Sequence, residues 1–339
     1  MFWGWSVRVT SIAVIGVSFV LGGSAAGSPQ LASPTPMAFS APASKSTEIF
    51  VSRDGRSKPV QITRNAIEGT SPAFSPAGDR IAWVRGTDRR NGIVTARLDG
   101  SDLQRLRASA EGLGDLSWSP DGRWIACIAW RDAKWWLTLV SVKGSAPRTL
   151  TTGVAPQWVD RGSRLVFADY SSEGARVFAI NADGSGRKAL TPPVGRSFYR
   201  IDLLHLSVSP DGRRIAFSIG GPRDSSEIYV VGTDGSGFRK LPAHGWDPAW
   251  SPKGDRFAFV RDRGSIMVAD RNGRQIRMLI PAPWGAILNP QWSATGDAIA
   301  FEYMPGRRGG IGSASLANPH PHMLFKTGLM SADSFRWSH

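Results

Sequence analysis

Seven positions in this chain recur three residues before the aromatic or apolar end of a short segment, and four of them carry ligand-type side chains. They are Ser71, Asp115, Ala155, His205, Asp247, Asn289 and Ser334, ahead of Phe74, Trp118, Trp158, Val208, Trp250, Trp292 and Trp337. Carboxylate and amide oxygens with one imidazole suit a hard divalent cation or a hydroxyl-rich ligand, so Asp115, His205, Asp247 and Asn289 form a candidate binding site. Asp and Asn also cap local backbone at strand starts, which is the structural alternative for the same residues. A long segment from Thr191 to Leu204 carries Arg200, and later loops carry Trp246 and Trp284. Exposed aromatic and arginine side chains of this kind anchor partners.

Other chemistry is thin. The chain has five histidines, His205, His244, His320, His322 and His339. His320 and His322 share a strand face and could chelate a metal, although a solvent-facing pair on an outer strand explains them as well. No Gly-x-Ser-x-Gly segment is present, so a serine-hydrolase elbow is excluded. Cys127, the single cysteine, falls in an apolar strand; it leaves no intramolecular disulfide and reads as an inert core thiol.

The elements that must position these residues repeat. The seven segment ends from Phe74 to Trp337 give a mean period of about 44 residues, the length of a four-stranded propeller blade. Within one period, Trp250-Ser251-Pro252-Lys253-Gly254 leads to Phe257-Ala258-Phe259. Pro252 presets φ for a turn and Gly254 can take the positive φ that closes it. A second hairpin follows at Asp99-Gly100, Asp183-Gly184, Asp234-Gly235 and Asn272-Gly273, dipeptides that two-residue primed turns favour. Helical periodicity is absent. The fold class is therefore all-β, a seven-bladed β-propeller of four-stranded blades, with a six-bladed ring as the alternative.

Ring closure is also legible. The chain ends in Phe335-Arg336-Trp337, a first strand with no partner after it, while Met37 to Ser40 and Thr47 to Val51 parallel Ile215 to Ser218 and Ser226 to Val230. One C-terminal strand joined to three N-terminal strands completes the last blade and pairs the terminal edges. Residues 36–339 form a single propeller, preceded by a short tether at 27–35.

Residues 1–26 read as a signal peptide. Arg8 is the sole charge before the apolar run Val9 to Leu21, and Ser24-Ala25-Ala26 supplies small residues for cleavage after Ala26. That run is short for a span of ~20 residues, so no stable membrane insertion is expected once the signal is removed, with a retained anchor as the alternative. The protein carries 41 Lys and Arg against 27 Asp and Glu, a net charge of +14. Such a surface favours anionic partners. The charges are scattered over turns with no basic stripe, which argues against nucleic acid.

The Ser-Pro-Asp-Gly turns with an apolar residue before and Ile-Ala after, at Trp118 to Ala126 and Val208 to Phe217, resemble the WD40-like propeller repeats of the TolB family. That resemblance implies an exported, periplasmic or extracellular, non-enzymatic protein that binds an envelope protein or an anionic polysaccharide as a monomer. It implies no cofactor, although the channel mouth could take a divalent cation. Propellers of similar repeat occur in oligogalacturonate lyases, so a metal-assisted polysaccharide lyase or hydrolase is the rival reading.

Overall fold

The computed structural model describes residues 36–43, 46–54, 57–64, 69–87, 90–108, 110–171, 173–194, 206–220, 226–261, 264–281, 286–304, 309–327 and 335–337. The expected signal peptide and tether lie outside the described residues. Among the described residues no helix is long and apolar enough to cross a membrane.

In chain order, β1 (Met37–Ala43), β2 (Ser46–Ser52) and β3 (Val60–Gln61) come first. Blade 1 follows as β4 (Gly69–Phe74), β5 (Arg80–Thr87), β6 (Arg90–Arg97) and β7 (Gln104–Arg105). Blade 2 is β8 (Gly112–Trp118), β9 (Trp124–Arg131), β10 (Lys134–Ser141) and β11 (Arg148–Thr152). Blade 3 is β12 (Val154–Val159), β13 (Arg164–Ser171), β14 (Gly174–Asn181) and β15 (Lys188–Ala189). Blade 4 is β16 (Leu206–Val208), β17 (Arg214–Ile219), β18 (Glu227–Gly232) and β19 (Arg239–His244). Blade 5 is β20 (Trp246–Trp250), β21 (Arg256–Arg261), β22 (Ser265–Asp270) and β23 (Arg277–Ile280). Blade 6 is β24 (Ala286–Trp292), β25 (Ala298–Met304), β26 (Gly309–Ser315) and β27 (His322–Thr327), and β28 (Phe335–Trp337) ends the series.

Seven four-stranded antiparallel sheets result, so the seven-bladed expectation holds and the six-bladed alternative falls. The seventh has the order β28-β1-β2-β3, with Met37 opposite Trp337 and Phe39 opposite Phe335. The terminal strands are thus paired as the closure argument requires.

The Ser-Pro-x-Gly turn owes its recurrence to a bonding pattern. In blade 5 the Ser251 hydroxyl accepts the Arg256 N–H and donates to Asp255, while Gly254 N–H donates to the Ser251 carbonyl. Ser75, Ser119, Ser209 and Ser293 do the same in four other blades. Burial works against the charge of Asp121, Asp211 and Asp255, but the serine hydroxyls and neighbouring arginines outweigh it and hold each carboxyl below its ordinary range. Blade 3 lacks the serine and substitutes a 3₁₀ turn at Asp160–Gly162.

The core lies between blades. Trp118, Trp158, Trp250 and Trp292 are buried, as alternation along the inner strands demands. Three of these indoles also tie each blade to the one before it: Trp118 Nε1 donates to the Ala73 carbonyl (3.1 Å), Trp158 to Ser117 (3.0 Å) and Trp292 to Ala249 (2.9 Å). The acceptor is in each case the residue just before the preceding blade's own anchor. At these three positions a Trp offers what a Phe does not, an N–H that finds a fixed carbonyl across the blade interface.

Candidate functional site

Each inner strand starts where the chain crosses in from the preceding blade, so equivalent residues near those starts gather at one end of the central channel. At that end β4, β8, β12, β20 and β24 each carry a bulge. Thr70 faces Val84 and Ala73 faces Ala82, which leaves Ser71 and Pro72 opposite the single residue Trp83. The same two-against-one count holds for Asp115-Leu116, Ala155-Pro156, Asp247-Pro248 and Asn289-Pro290. Four of the five bulges put a proline second, where a residue without an N–H forfeits no ladder bond.

The first bulge residue is left-handed in every case: φ is 54° at Ser71, 51° at Asp115, 58° at Ala155, 52° at Asp247 and 54° at Asn289. Asp and Asn tolerate this region better than most residues, which accounts for three of the five. All five residues are buried. Asp115, Asp247 and Asn289, three of the residues expected to read a ligand, are therefore members of a strained, buried collar.

Hydrogen bonds explain the collar. A bulge leaves its own N–H without a partner on the adjacent strand. Asp115 Oδ2 accepts the N–H of Ala155 in the next blade (3.0 Å), and Asp247 Oδ2 accepts that of Asn289 (3.2 Å). Capping of backbone is thus observed, and it reaches across to the equivalent position one blade on. Asn289 Nδ2 in turn donates to Glu302 Oε1 (3.1 Å), and Gln291 Nε2 donates to Asn289 Oδ1 (3.4 Å).

Trp246, half-buried, stands directly before the Asp247 bulge and pairs with Val260. Arg200, His205, Trp284 and Ser334 lie outside the described residues. His320 and His322 are both exposed beside or on the outer strand β27, in keeping with the solvent-facing alternative. Among the described residues no group of three or more His, Cys, Asp or Glu side chains is placed to hold a metal ion.

Two features escaped the sequence reading. Glu302 is fully buried at a position where blades 1, 2, 3 and 5 hold Val84, Ile128, Ala168 and Val260; an acid inside the apolar run Ile299 to Tyr303 was its only signal. The second is a group of tryptophans on the β9–β10 hairpin, legible as Trp130 to Trp136 but lost among the core tryptophans. Cys127 is buried under the Asp115 bulge, and burial first, then the Asp115 charge, push its thiol up to about 12. It is inert at neutral pH, as expected from sequence.

No protein-family model matches the chain. An uncharacterized protein of Agrobacterium fabrum is 26% identical over 187 residues, covering 49% of this chain and 61% of that protein. The Tol-Pal system protein TolB of Anaeromyxobacter dehalogenans is 32% identical over 169 residues, covering 47% of this chain and 37% of its own. Neither match reaches two thirds of the relative's length. Among solved structures, TolB from Acinetobacter baumannii covers 91% of this chain and 80% of its own at 15% identity with a TM-score of 0.56. The chain is a seven-bladed β-propeller similar in sequence and fold to TolB proteins. Puromycin hydrolase (TM-score 0.64, 13% identity, 89% of this chain and 54% of its own) and an oligogalacturonate lyase in complex with manganese (0.60, 13%, 84% of each) share the ring. At these identities the solved structures speak for the fold alone.

Proposed function

We propose that this propeller is exported and works without catalysis, binding a protein partner of the cell envelope through its channel mouth. The observation that carries the reading is the collar: five non-glycine residues kept left-handed at one end of the channel, each at a cost of order 1–3 kcal/mol. Such strain persists where a face is held in one shape, and a rigid mouth ringed by hairpins is a pre-organised binding surface. Similarity to TolB proteins supports an envelope setting.

Arg200, Trp246 and Trp284 are the proposed anchors around that mouth, with Asp115, His205, Asp247 and Asn289 inside it. Replacing Arg200, Trp246 and Trp284 together by alanine should abolish capture of the partner from envelope extract while the protein stays folded. Binding driven by net charge alone would survive that change and weaken steeply with salt, so a triple variant that still captures at ~0.15 M salt defeats the reading. Stoichiometric divalent metal in the purified protein, lost in Asp247→Ala, would turn it toward a metal-assisted lyase or hydrolase on the same mouth.

A further inference from the structure

The turn between the third and fourth strands of a blade rests on the outer strand of the blade before it, and one seam departs from this. A Cβ would lie 3.0 Å from the Ile62 carbonyl at Gly100, 3.6 Å from Leu150 at Gly184, 3.7 Å from Leu190 at Gly235 and 2.9 Å from Leu241 at Gly273. At Gly144, the equivalent turn glycine of blade 2, nothing comes within 4 Å, although Leu106 directly after β7 holds the matching place in blade 1. What remains at this seam is a groove of about 600 Å³ lined by Arg80, Gln104, Arg105, Leu106, Val142 and Lys143. It opens at the end of the ring opposite the collar, because Val142 N–H donates to the carbonyl of Arg123, beside the Ser-Pro-x-Gly turn of blade 2.

The turn residues differ where the packing differs. Asp99, Asp183 and Asp234 brace the sister turns by accepting the N–H of the serine two residues on, at 2.9, 2.8 and 2.8 Å. Blade 2 has Lys143 at that place, which cannot accept. Ser141 takes over, its Oγ accepting the Lys143 N–H (3.2 Å) and the Ser145 hydroxyl (2.9 Å). This seam therefore carries a positive charge where three sister turns carry a negative one. Arg80 is already engaged: Nη1 donates to Asp102 Oδ2 (2.5 Å) and Nη2 to the Asp102 carbonyl (2.9 Å), while Gln104 Nε2 donates to Asp102 Oδ1 (3.3 Å). Arg105 of blade 1 and Lys143 of blade 2 are exposed, and among the described residues neither enters an ion pair. Leu106 and Val142, which extend the apolar core of the seam, supply the rest of the lining.

We propose that this groove binds an acidic peptide segment in which carboxylates flank an apolar side chain. Its volume falls within the range of ligand clefts, about 300–1,000 Å³. Two uncompensated cations contributed by different blades match two carboxylates on one ligand. A bare polyanion would satisfy that charge but leave the apolar lining uncovered, whereas an apolar side chain fills the space that the turn closes at the sister seams. β7 is also the free outer edge of its sheet, so an extended segment finds backbone to pair with. Groove and mouth lie at opposite ends of the ring, so this inference and the partner reading of the mouth fail separately.

Calorimetric titration of the purified protein at ~0.15 M salt tests it. The probes are the end-blocked peptide Gly-Asp-Leu-Asp-Gly, its uncharged counterpart Gly-Asn-Leu-Asn-Gly and inorganic pyrophosphate. The acidic peptide should bind with Kd below about 1 mM, and more tightly than either of the others. Lys143→Asp, which restores the residue of the sister turns, and Arg105→Glu should each weaken it about tenfold. Lys253→Asp makes the same change of charge on the exposed turn of blade 5 and should leave binding unaltered, as should the triple mouth variant. No binding by the wild-type protein, pyrophosphate or the uncharged peptide binding as tightly as the acidic one, or equal losses in Lys143→Asp and Lys253→Asp would each overturn the proposal.

Discussion

Replacing Asp115 by alanine removes the acceptor for the Ala155 N–H, a bond of 3.0 Å between residues 1% and 0% exposed. The bulge denies that N–H a strand partner, and water has no access to replace the carboxylate. A charge-assisted bond is worth about 1.5–3 kcal/mol and an orphaned buried donor costs about 1–3 kcal/mol, two descriptions of the same loss. Relief of the carboxylate's own desolvation offsets part of it. The expected net is about 2 kcal/mol, read as a lower urea midpoint at unchanged slope. Asp115→Asn keeps an oxygen in place and should cost about half as much. Hydrogen exchange gives the local test: the Ala155 amide should lose protection in Asp115→Ala beyond the global change. If the midpoint and that amide are both unmoved, the blade-to-blade cap is not a stabilising contact and the account of the collar fails. If Asp115→Ala is as stable as the parent but partner capture is lost, the carboxylate serves a ligand instead.

Trp250→Ala should cost about 3–5 kcal/mol through the cavity it opens, whereas Lys253→Ala on the exposed turn beside it should stay within about 0.5 kcal/mol; equal midpoints in urea would refute the assignment of anchor and rim. Deleting residues 335–339 removes β28 from the seventh blade and should lower the melting temperature sharply by calorimetry, and an unchanged transition would sink the closure scheme. Burial, then the hydrogen bond to Glu227, raise Tyr229 from 10.0 to about 12, so its folded form favours the neutral phenol. Its contribution is intact below pH 10 and is lost as pH rises through 12, and Tyr229→Phe should flatten that part of the stability profile in urea titrations.

The period of the anchors, the Ser-Pro-x-Gly and Asp-Gly turns and the unpaired strand at each terminus were enough to determine seven blades and the way the ring closes. Those features are local: a turn residue or a strand alternation acts on its neighbours in sequence, and five blades report the serine turn independently. Even the collar positions were marked, because they keep a constant distance from the anchors. What those residues do was decided only by tertiary structure. Asp115 and Ala155 are 40 residues apart, and the unpaired N–H that makes the carboxylate useful exists only once β12 has bulged beside it. Glu302 was hidden for the same reason, since its partner Asn289 reaches it across a strand pair that sequence spacing does not reveal. The partial exposure of Trp130 and Trp135 follows from lying past the end of the blade interface. Repetition encodes the scaffold many times over, whereas each contact between blades, and each surface left uncovered at their edges, is settled once by the closed ring.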